Sequence, residues 1–450
     1  MSTKVTIIGG GSYQWGPELM ADLFGTPALA GMELVLEDIN PEPFPKMEAL
    51  AHRLNEAMGA SATISTSTDQ RQAMEGADFV LVCISTGAFR SMAVDLDVPA
   101  KYGITQTVGD TVGPGGINRA LRNIPVLVGI GRDMEQVCPD AWMFNITNPM
   151  TALTRSVCRE TSIKTVGLCH EVGNFCMDLA IALGRPAEAV QPTVMGINHF
   201  PVLTALEVDG ADGFEVLRSL VDEVGGLESL APYPGRPEAD PFTKLDFAQR
   251  HLFKLTLLDR WGTFPAAGDR HIAEFVSFAL TPESEWGATY NIELSPIARR
   301  EKNAAEDRAN VDAWLDGSKQ LQTWQSGELP SPMIEAMLTD VPFEAPVNIP
   351  NTGQAPGLAP DVVLESICVI DGAGIRGRDV SVLPAPYDEI VRRHTATQEL
   401  TVEAALRGDR ALAAEAFALD PLAGRGDLRT MEAMVEELLG GTAEWLPQFA

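Results

Sequence analysis

The chain has 450 residues, with 62 acidic against 33 basic side chains and a formal net charge of −29. Such a surface repels nucleic acid and anionic membranes, which excludes both as partners. With no apolar run of about 18 residues and six cysteines scattered without disulfide spacing, a leaderless, soluble, cytoplasmic, enzyme-sized chain is expected.

Residues 4–8 (KVTII) are a β-branched run ending in GGGS, and an amphipathic stretch follows from Pro17 to Phe24. MELVLEDIN reads as a second strand, MEALAHRLNEAM as a helix and SATISTSTD as an alternating strand. DFVLVCIS is a buried strand, RALRNIPVLVGIGRDMEQVCP is helical at least to Gln136, and AWMFNITNPM is a strand broken at Asn-Pro. This alternation over residues 1–150 predicts a Rossmann-type NAD-binding domain, an α/β fold with a doubly wound parallel sheet. Residues 151–450 read as a continuous α+β substrate and oligomerisation domain without a clear linker. Its elements are helix MTALTRSVCRE, strand TVGLC, helix FCMDLAIAL, and strands QPTVMGINHF and VLTALEVD. Helical patterns follow over 246–340, VDAWLDGSKQLQTWQ among them, then a strand pair in VVLESICVIDGAGI and a helical acidic tail.

Gly9, Gly10, Gly11 and Ser12 join the first strand to the first helix. Glycine there lets the backbone approach a pyrophosphate lying on the helix N-terminus. Asp38, ending the second strand, is placed for ribose hydroxyls, and an acid favours NAD over NADP. Gln14 stands where a full fingerprint has its third glycine, so a plain tight turn is the alternative. ISTG (84–87) and NITNP (145–149) end later strands on the same edge. Ser85, Thr86 and Asn145 are thus cofactor candidates and Asn148 a sugar-hydroxyl candidate, against Asn-Pro as a simple strand terminator. GDTVGPGG (109–116), with its one carboxylate Asp110, reads as a binding loop or a surface turn. Cys169 ends a strand, His170 follows it, and His199 ends another. A thiolate and an imidazole from separate strand ends can converge on one divalent ion. A Cys-His dyad or plain burial are the alternatives. GDRHIAEF (268–275) sets Asp269, Arg270, His271 and Glu274 together, as an acid–base and hydroxyl-recognition cluster or a solvated helix start.

Several blocks in order over residues 4 to about 385 resemble glycoside hydrolase family 4, the NAD- and divalent-metal-dependent glycosidases. They are VTIIGGGSYQWGPELMADL, LEDIN, KYGITQTVGDTVGPGGINRALRNIPV, NITNPM, GLCHEV, GINHF, GDRHIAEF and PVNIPNTGQAPGLAPDVV. The resemblance implies a fold like that of lactate and malate dehydrogenases, bound NAD, and a metal, usually Mn²⁺, on Cys169 and His199. It implies His170 as general acid, Asp110 and Asp269 as acid–base candidates, and Asn148 as a sugar-binding residue. Some relatives use a tyrosine base near GDRHIAEF; between 103 and 289 this chain has only Tyr233, and Asp269 is the expected substitute. The implied cycle is C3 oxidation by NAD⁺, metal-assisted C2 deprotonation, elimination, water addition and re-reduction. Members acting on 6-phosphosugars carry an arginine just before the KYG block, whereas here SMAVDLDVPAKYG has no basic residue before Lys101 and only Arg90 lies upstream. An unphosphorylated α-glucoside is therefore the first expectation, with an α-galactoside or a uronide next. An NAD-dependent 2-hydroxyacid dehydrogenase on the same fold, or a non-enzymatic NAD sensor, is the competing reading. A homo-oligomer, dimer or tetramer, is expected by analogy.

Overall fold

The computed structural model describes residues 2–230, 241–323 and 326–450; Tyr233 lies outside them. One sheet runs through the chain. Its strands are β1 Lys4–Ile8, β2 Glu33–Glu37, β3 Thr63–Ser67, β4 Phe79–Val82, β5 Trp142–Asn145 and β6 Lys164–Leu168. They continue as β7 Val190–Ile197, β8 Phe200–Val208, β9 Ala211–Asp212, β10 Phe343–Pro350, β11 Val363–Asp371 and β12 Gly374–Gly377. The spatial order is β3-β2-β1-β4-β5-β6-β10-β11-β7-β8-β9, with β12 on β11. The first six strands are parallel. β10 then reverses against β6, and the rest of the sheet is antiparallel. The parallel half therefore extends beyond residue 150 to Leu168.

The parallel strands read as continuous apolar runs because helices cover both of their faces. Val5, Ile7, Leu34, Leu36, Phe79 and Leu81 pack into one core, while Ile8, Val80, Val82 and Met143 point to the other. That alternation is the period-two geometry of a strand. β1 lies between β2 and β4. Their connections run to opposite sides, so a crevice opens at the carboxyl ends of these two strands, where doubly wound sheets bind ligands.

Two elements differ from the sequence expectation. The second half of the glycine-dense stretch is helix, because the helix Gly113–Val137 starts inside it. Pro114 sits in the first turn, where its missing N–H costs nothing. A Cβ on Gly116 would lie 2.5 Å from the Thr111 carbonyl carbon, and one on Gly115 3.0 Å from the Asp95 oxygen. Those glycines serve close packing. The second difference is the helix Ile297–Asp316, which stops at Gly317 with φ of 81°. The helical reading of VDAWLDGSKQLQTWQ therefore holds to Asp316 and fails over 317–323, while 324 and 325 lie outside the described residues. No helix of the described residues is long and apolar enough to cross a membrane.

Candidate active site

The first turn of the crevice is built on glycine. The N–H groups of Gly9 and Gly10 donate to the Glu37 carbonyl, and Gly11 N–H donates to Asp38 Oδ2 at 3.2 Å. Gly9 has φ of 92°, and a Cβ on Gly10 would meet Leu36 Cβ at 2.8 Å. The turn thus lies flat on β2, which only glycine permits. Ser12 Oγ accepts from Trp15 N–H at the start of the helix Trp15–Phe24. The amides of Tyr13 and Gln14 donate to nothing among the described residues and remain for an anion. Gly16, in the first turn of that helix, packs against the end of the Met47 side chain, where a Cβ would come 2.5 Å from Met47 Cε. Asp38, half-buried, spends one oxygen on Gly11 and the other on Asn40 N–H, bracing the turn at the position a ribose would reach.

Next to this turn lies a cleft of about 760 Å³. It is lined by Trp15, Asp110, Asn148, Cys169, His170 and Glu171 on one set of elements, and by His199, Arg270, His271 and Arg300 on others. Three of these converge: one donor atom each from Asp110, His199 and His271 lie within 4.8 Å of one another. His199 occupies a two-residue hairpin turn between β7 and β8, with φ of 64°. Asp110 sits in the loop before the helix Gly113–Val137, and His271 in the short helix Asp269–Ile272.

Hydrogen bonds fix the chemistry of the cluster. Thr111 Oγ1 lies 2.7 Å from both Asp110 Oδ1 and His199 Nδ1. The hydroxyl has one proton and an ionised carboxylate cannot donate, so Thr111 donates to Asp110. His199 Nδ1 must then carry the hydrogen, which leaves the Nε2 lone pair for a ligand. Burial, reinforced by the neighbouring His271, pushes His199 down to about 3, so its imidazole is neutral. His271 is lowered too, chiefly by burial, and its Nδ1 is buried without a partner. Burial would raise Asp110 and Glu171, but His271 and His199 outweigh it, with Arg119 also acting on Asp110. Asp110 falls well below the carboxylate range and Glu171 to about 2. Two imidazoles and the Asp110 carboxylate make a donor set that suits a divalent cation such as Mn²⁺.

The structure brings Cys169 into the same cleft, at 7 % exposure, but outside the set of atoms that meet within 4.8 Å. Burial, then the carboxylates of Glu365 and Glu171, push its thiol up, so it would ligate only where a cation takes the place of the proton. His170 begins the helix Glu171–Leu183, with Nδ1 2.6 Å from Glu328 Oε1. That hydrogen bond raises the imidazole and leaves Nε2 toward the cleft. Asn148 reaches Asp110 Oδ2 at 3.5 Å. Ser85 and Thr86 follow β4 at the crevice, where Arg119 Nη2 lies 3.5 Å from Ser85 Oγ.

Two expectations need correction. Asn145 is fully buried; it donates to Thr154 Oγ1 and accepts from Thr147 N–H, so its amide closes the strand end instead of meeting a cofactor. Asp269 does not line the cleft. Its Oδ2 accepts from Phe253 N–H and its Oδ1 lies 3.0 Å from Lys254 Nζ, a buried ion pair that ties the carboxylate down. Arg90, the one basic residue just upstream of the KYG block, pairs with Glu444 at 2.8 Å, covers Trp445 and does not line the cleft. Sequence reasoning passed over Glu171, Glu328 and Thr111, whose partners are far off in the chain.

The profile of family 4 glycosyl hydrolases matches residues 4–185, and that of the family's C-terminal domain matches 194–423. An α-galactosidase of Bacillus subtilis is 31% identical over 449 residues, covering 99% of each chain. The chain belongs to glycosyl hydrolase family 4. An α-galacturonidase of the same bacterium is 32% identical over 427 residues, 93% of each. Among solved structures, this family 4 chain is similar to a Bacillus subtilis protein named as a glucosidase. The identity is 30% and the TM-score 0.87, with 97% of this chain and 100% of that one covered. Two more distant likenesses show the fold alone. A 6-phospho-α-glucosidase from gut microorganisms, solved with NAD and Mn²⁺, is 19% identical with a TM-score of 0.80 and covers 99% of each chain. The lactate dehydrogenase of Cryptosporidium parvum is 15% identical with a TM-score of 0.53, covering 90% of this chain and 98% of that one.

Proposed function

We propose that this family 4 enzyme hydrolyses an unphosphorylated α-hexoside with NAD⁺ and a divalent ion, Mn²⁺ by preference. The observation that carries the reading is the Asp110–His199–His271 cluster, set in a cleft that opens beside the Gly9–Ser12 turn. When bound, NAD⁺ would supply a hydride acceptor for the sugar and a divalent ion would supply Lewis acidity that eases loss of a proton next to the oxidised carbon. His199 Nε2, an imidazole nitrogen of His271 and an oxygen of Asp110 would hold the ion, with Cys169 on the same wall as a further ligand. Glu171 and Asp110 are the carboxylates in place to accept a proton. His170, oriented by Glu328, is the group that would give one to the leaving oxygen. Asn148 and Arg270 line the cleft as hydroxyl ligands.

The missing phosphate ligand at Arg90 supports a substrate without phosphate. Among such glycosides the sequence puts an α-glucoside first, and relatives named as α-galactosidase and α-galacturonidase extend the range. A uronide is the second reading. Arg270, Arg299 and Arg300 line one side of the cleft, and the Arg270 guanidinium has no partner among the described residues. A carboxylate at C6 would complete it.

The test is a panel of nitrophenyl α-glucoside, α-galactoside and α-galacturonide, with NAD⁺ and Mn²⁺ each added and omitted. Turnover of one of them only when both are present, without net NADH, is expected. Steady NADH production from a 2-hydroxyacid with no glycoside cleaved would favour the dehydrogenase instead.

A further inference from the structure

A second cavity, of about 600 Å³, adjoins the cleft and shares with it a wall of Glu171, Arg270, Ser295 and Arg299. A glycosidase has to hold two bodies, the sugar that keeps C1 and the group that departs. Gln14, Trp15 and Glu18 line the cleft on its nucleotide side. Resting on the glycosidase reading above, we infer that the second cavity is the leaving-group subsite and that it takes a neutral sugar ring.

The volume lies within the range of small-molecule sites, about 300–1,000 Å³. Away from the wall shared with the cleft, where Glu171 and Arg270 stand, its charges are paired. Arg250 meets Asp178 at 2.6 Å and Asp246 at 3.0 Å, Lys254 meets Asp269 at 3.0 Å, and Arg299 meets Glu293 at 2.8 Å. A charged ligand would have to break one of these pairs. What remains for recognition is amide. Gln249 lines the cavity, is only 5 % exposed, and its amide has no partner among the described residues. Asn174 stands exposed at the mouth, in the first turn of the helix Glu171–Leu183, and its side chain is likewise without a partner. An amide both donates and accepts, which matches vicinal hydroxyls and wastes itself on an aryl or alkyl group.

The experiment compares two substrates of the full-length enzyme with NAD⁺ and Mn²⁺. One is a disaccharide that carries the cleaved sugar on glucose: maltose, melibiose, or the galacturonosyl analogue. The other is the methyl α-glycoside of the same sugar, which leaves the subsite empty. The quantity read is the ratio of their kcat/KM values. Gln249→Leu removes the amide at nearly constant volume, and Asn174→Trp fills the mouth. Each lowers the ratio about tenfold and weakens inhibition by free glucose. A fall of less than threefold in both variants overturns the subsite, while cleavage of the methyl glycoside by wild type keeps the glycosidase reading intact. Wild-type enzyme that cleaves no member of either substrate set overturns both. Should Gln249→Leu fail to fold, Asn174→Trp, on an exposed helix position, carries the test.

Discussion

Thr111 holds the smallest lever in the site, one hydroxyl proton. Because it donates to Asp110, His199 keeps its hydrogen on Nδ1 and offers Nε2 to a ligand. Thr111→Val removes that constraint and leaves the ring. The variant should bind Mn²⁺ about 10–100-fold more weakly by calorimetry; unchanged affinity would show that the hydroxyl does not set the tautomer. Glu365 is a second lever. It is fully buried on β11, and burial pushes it up to about 8 despite hydrogen bonds from Asn198 and Asn348. The unfolded chain releases this proton above about pH 4.3, while the folded chain keeps it until about 8. Stability is therefore lost as pH rises between those values. Glu365→Gln is neutral at every pH, so its Tm should exceed wild type by about 2 °C or more at pH 8 and match it at pH 4.5. Equal Tm values at pH 8 would mean that the carboxyl ionises freely. Asp110, His199 and His271 were legible in the sequence because polar side chains at strand ends and in short turns face the open edge of a sheet. Asp269 was misread for a matching reason. Its neighbour Lys254 lies fifteen positions earlier, and nothing local announces that the two meet in the interior.

Two elements must be held together for the cluster to exist, and one carboxylate clasps them. Glu274, following the helix of His271, accepts at Oε1 from Thr107 Oγ1 at 3.0 Å, Val108 N–H at 2.7 Å and Gly109 N–H at 2.9 Å. Thr107 Oγ1 also lies within hydrogen-bonding distance of the Arg270 carbonyl, and its one proton serves one of these two acceptors at a time. The loop that presents Asp110 is thereby tied to the helix that presents His271. Glu274→Ala should lower Mn²⁺ affinity at least tenfold, and Glu274→Gln, which keeps an accepting oxygen, should restore most of it. Equal losses in the two variants would argue for a requirement for charge. The same loop rests on Gly116. Gly116→Ala places a methyl against the Thr111 backbone and should cost about 1–3 kcal/mol in urea unfolding. A cost near zero would mean the loop yields freely. Here the sequence was half legible. Glycine density marked a special place, but a turn needing flexibility and a helix needing closeness use the same residue.

At the scale of the whole molecule, the parallel half could be read because its strands are short runs in regular alternation with helices and, except for β1 and β4, neighbours come from adjacent stretches of chain. The antiparallel half could be seen as strands yet not placed. β10 begins at Phe343 and pairs with β6, which ended at Leu168. Nothing in the local pattern of either strand encodes that meeting. The result is one sheet whose carboxyl edge carries a nucleotide turn at β1 and whose continuation carries an imidazole at the β7–β8 hairpin. A simple hydroxyacid dehydrogenase needs the first of these and a single base, not the cluster of Asp110, His199 and His271. The direct measurement is hydrolysis of the preferred α-glycoside in D₂O with NAD⁺ and Mn²⁺, followed by mass and NMR analysis of the released sugar. Removal and return of the C2 proton predicts one deuterium on carbon at C2 in the product. A released sugar with only hydrogen at C2 would contradict the account.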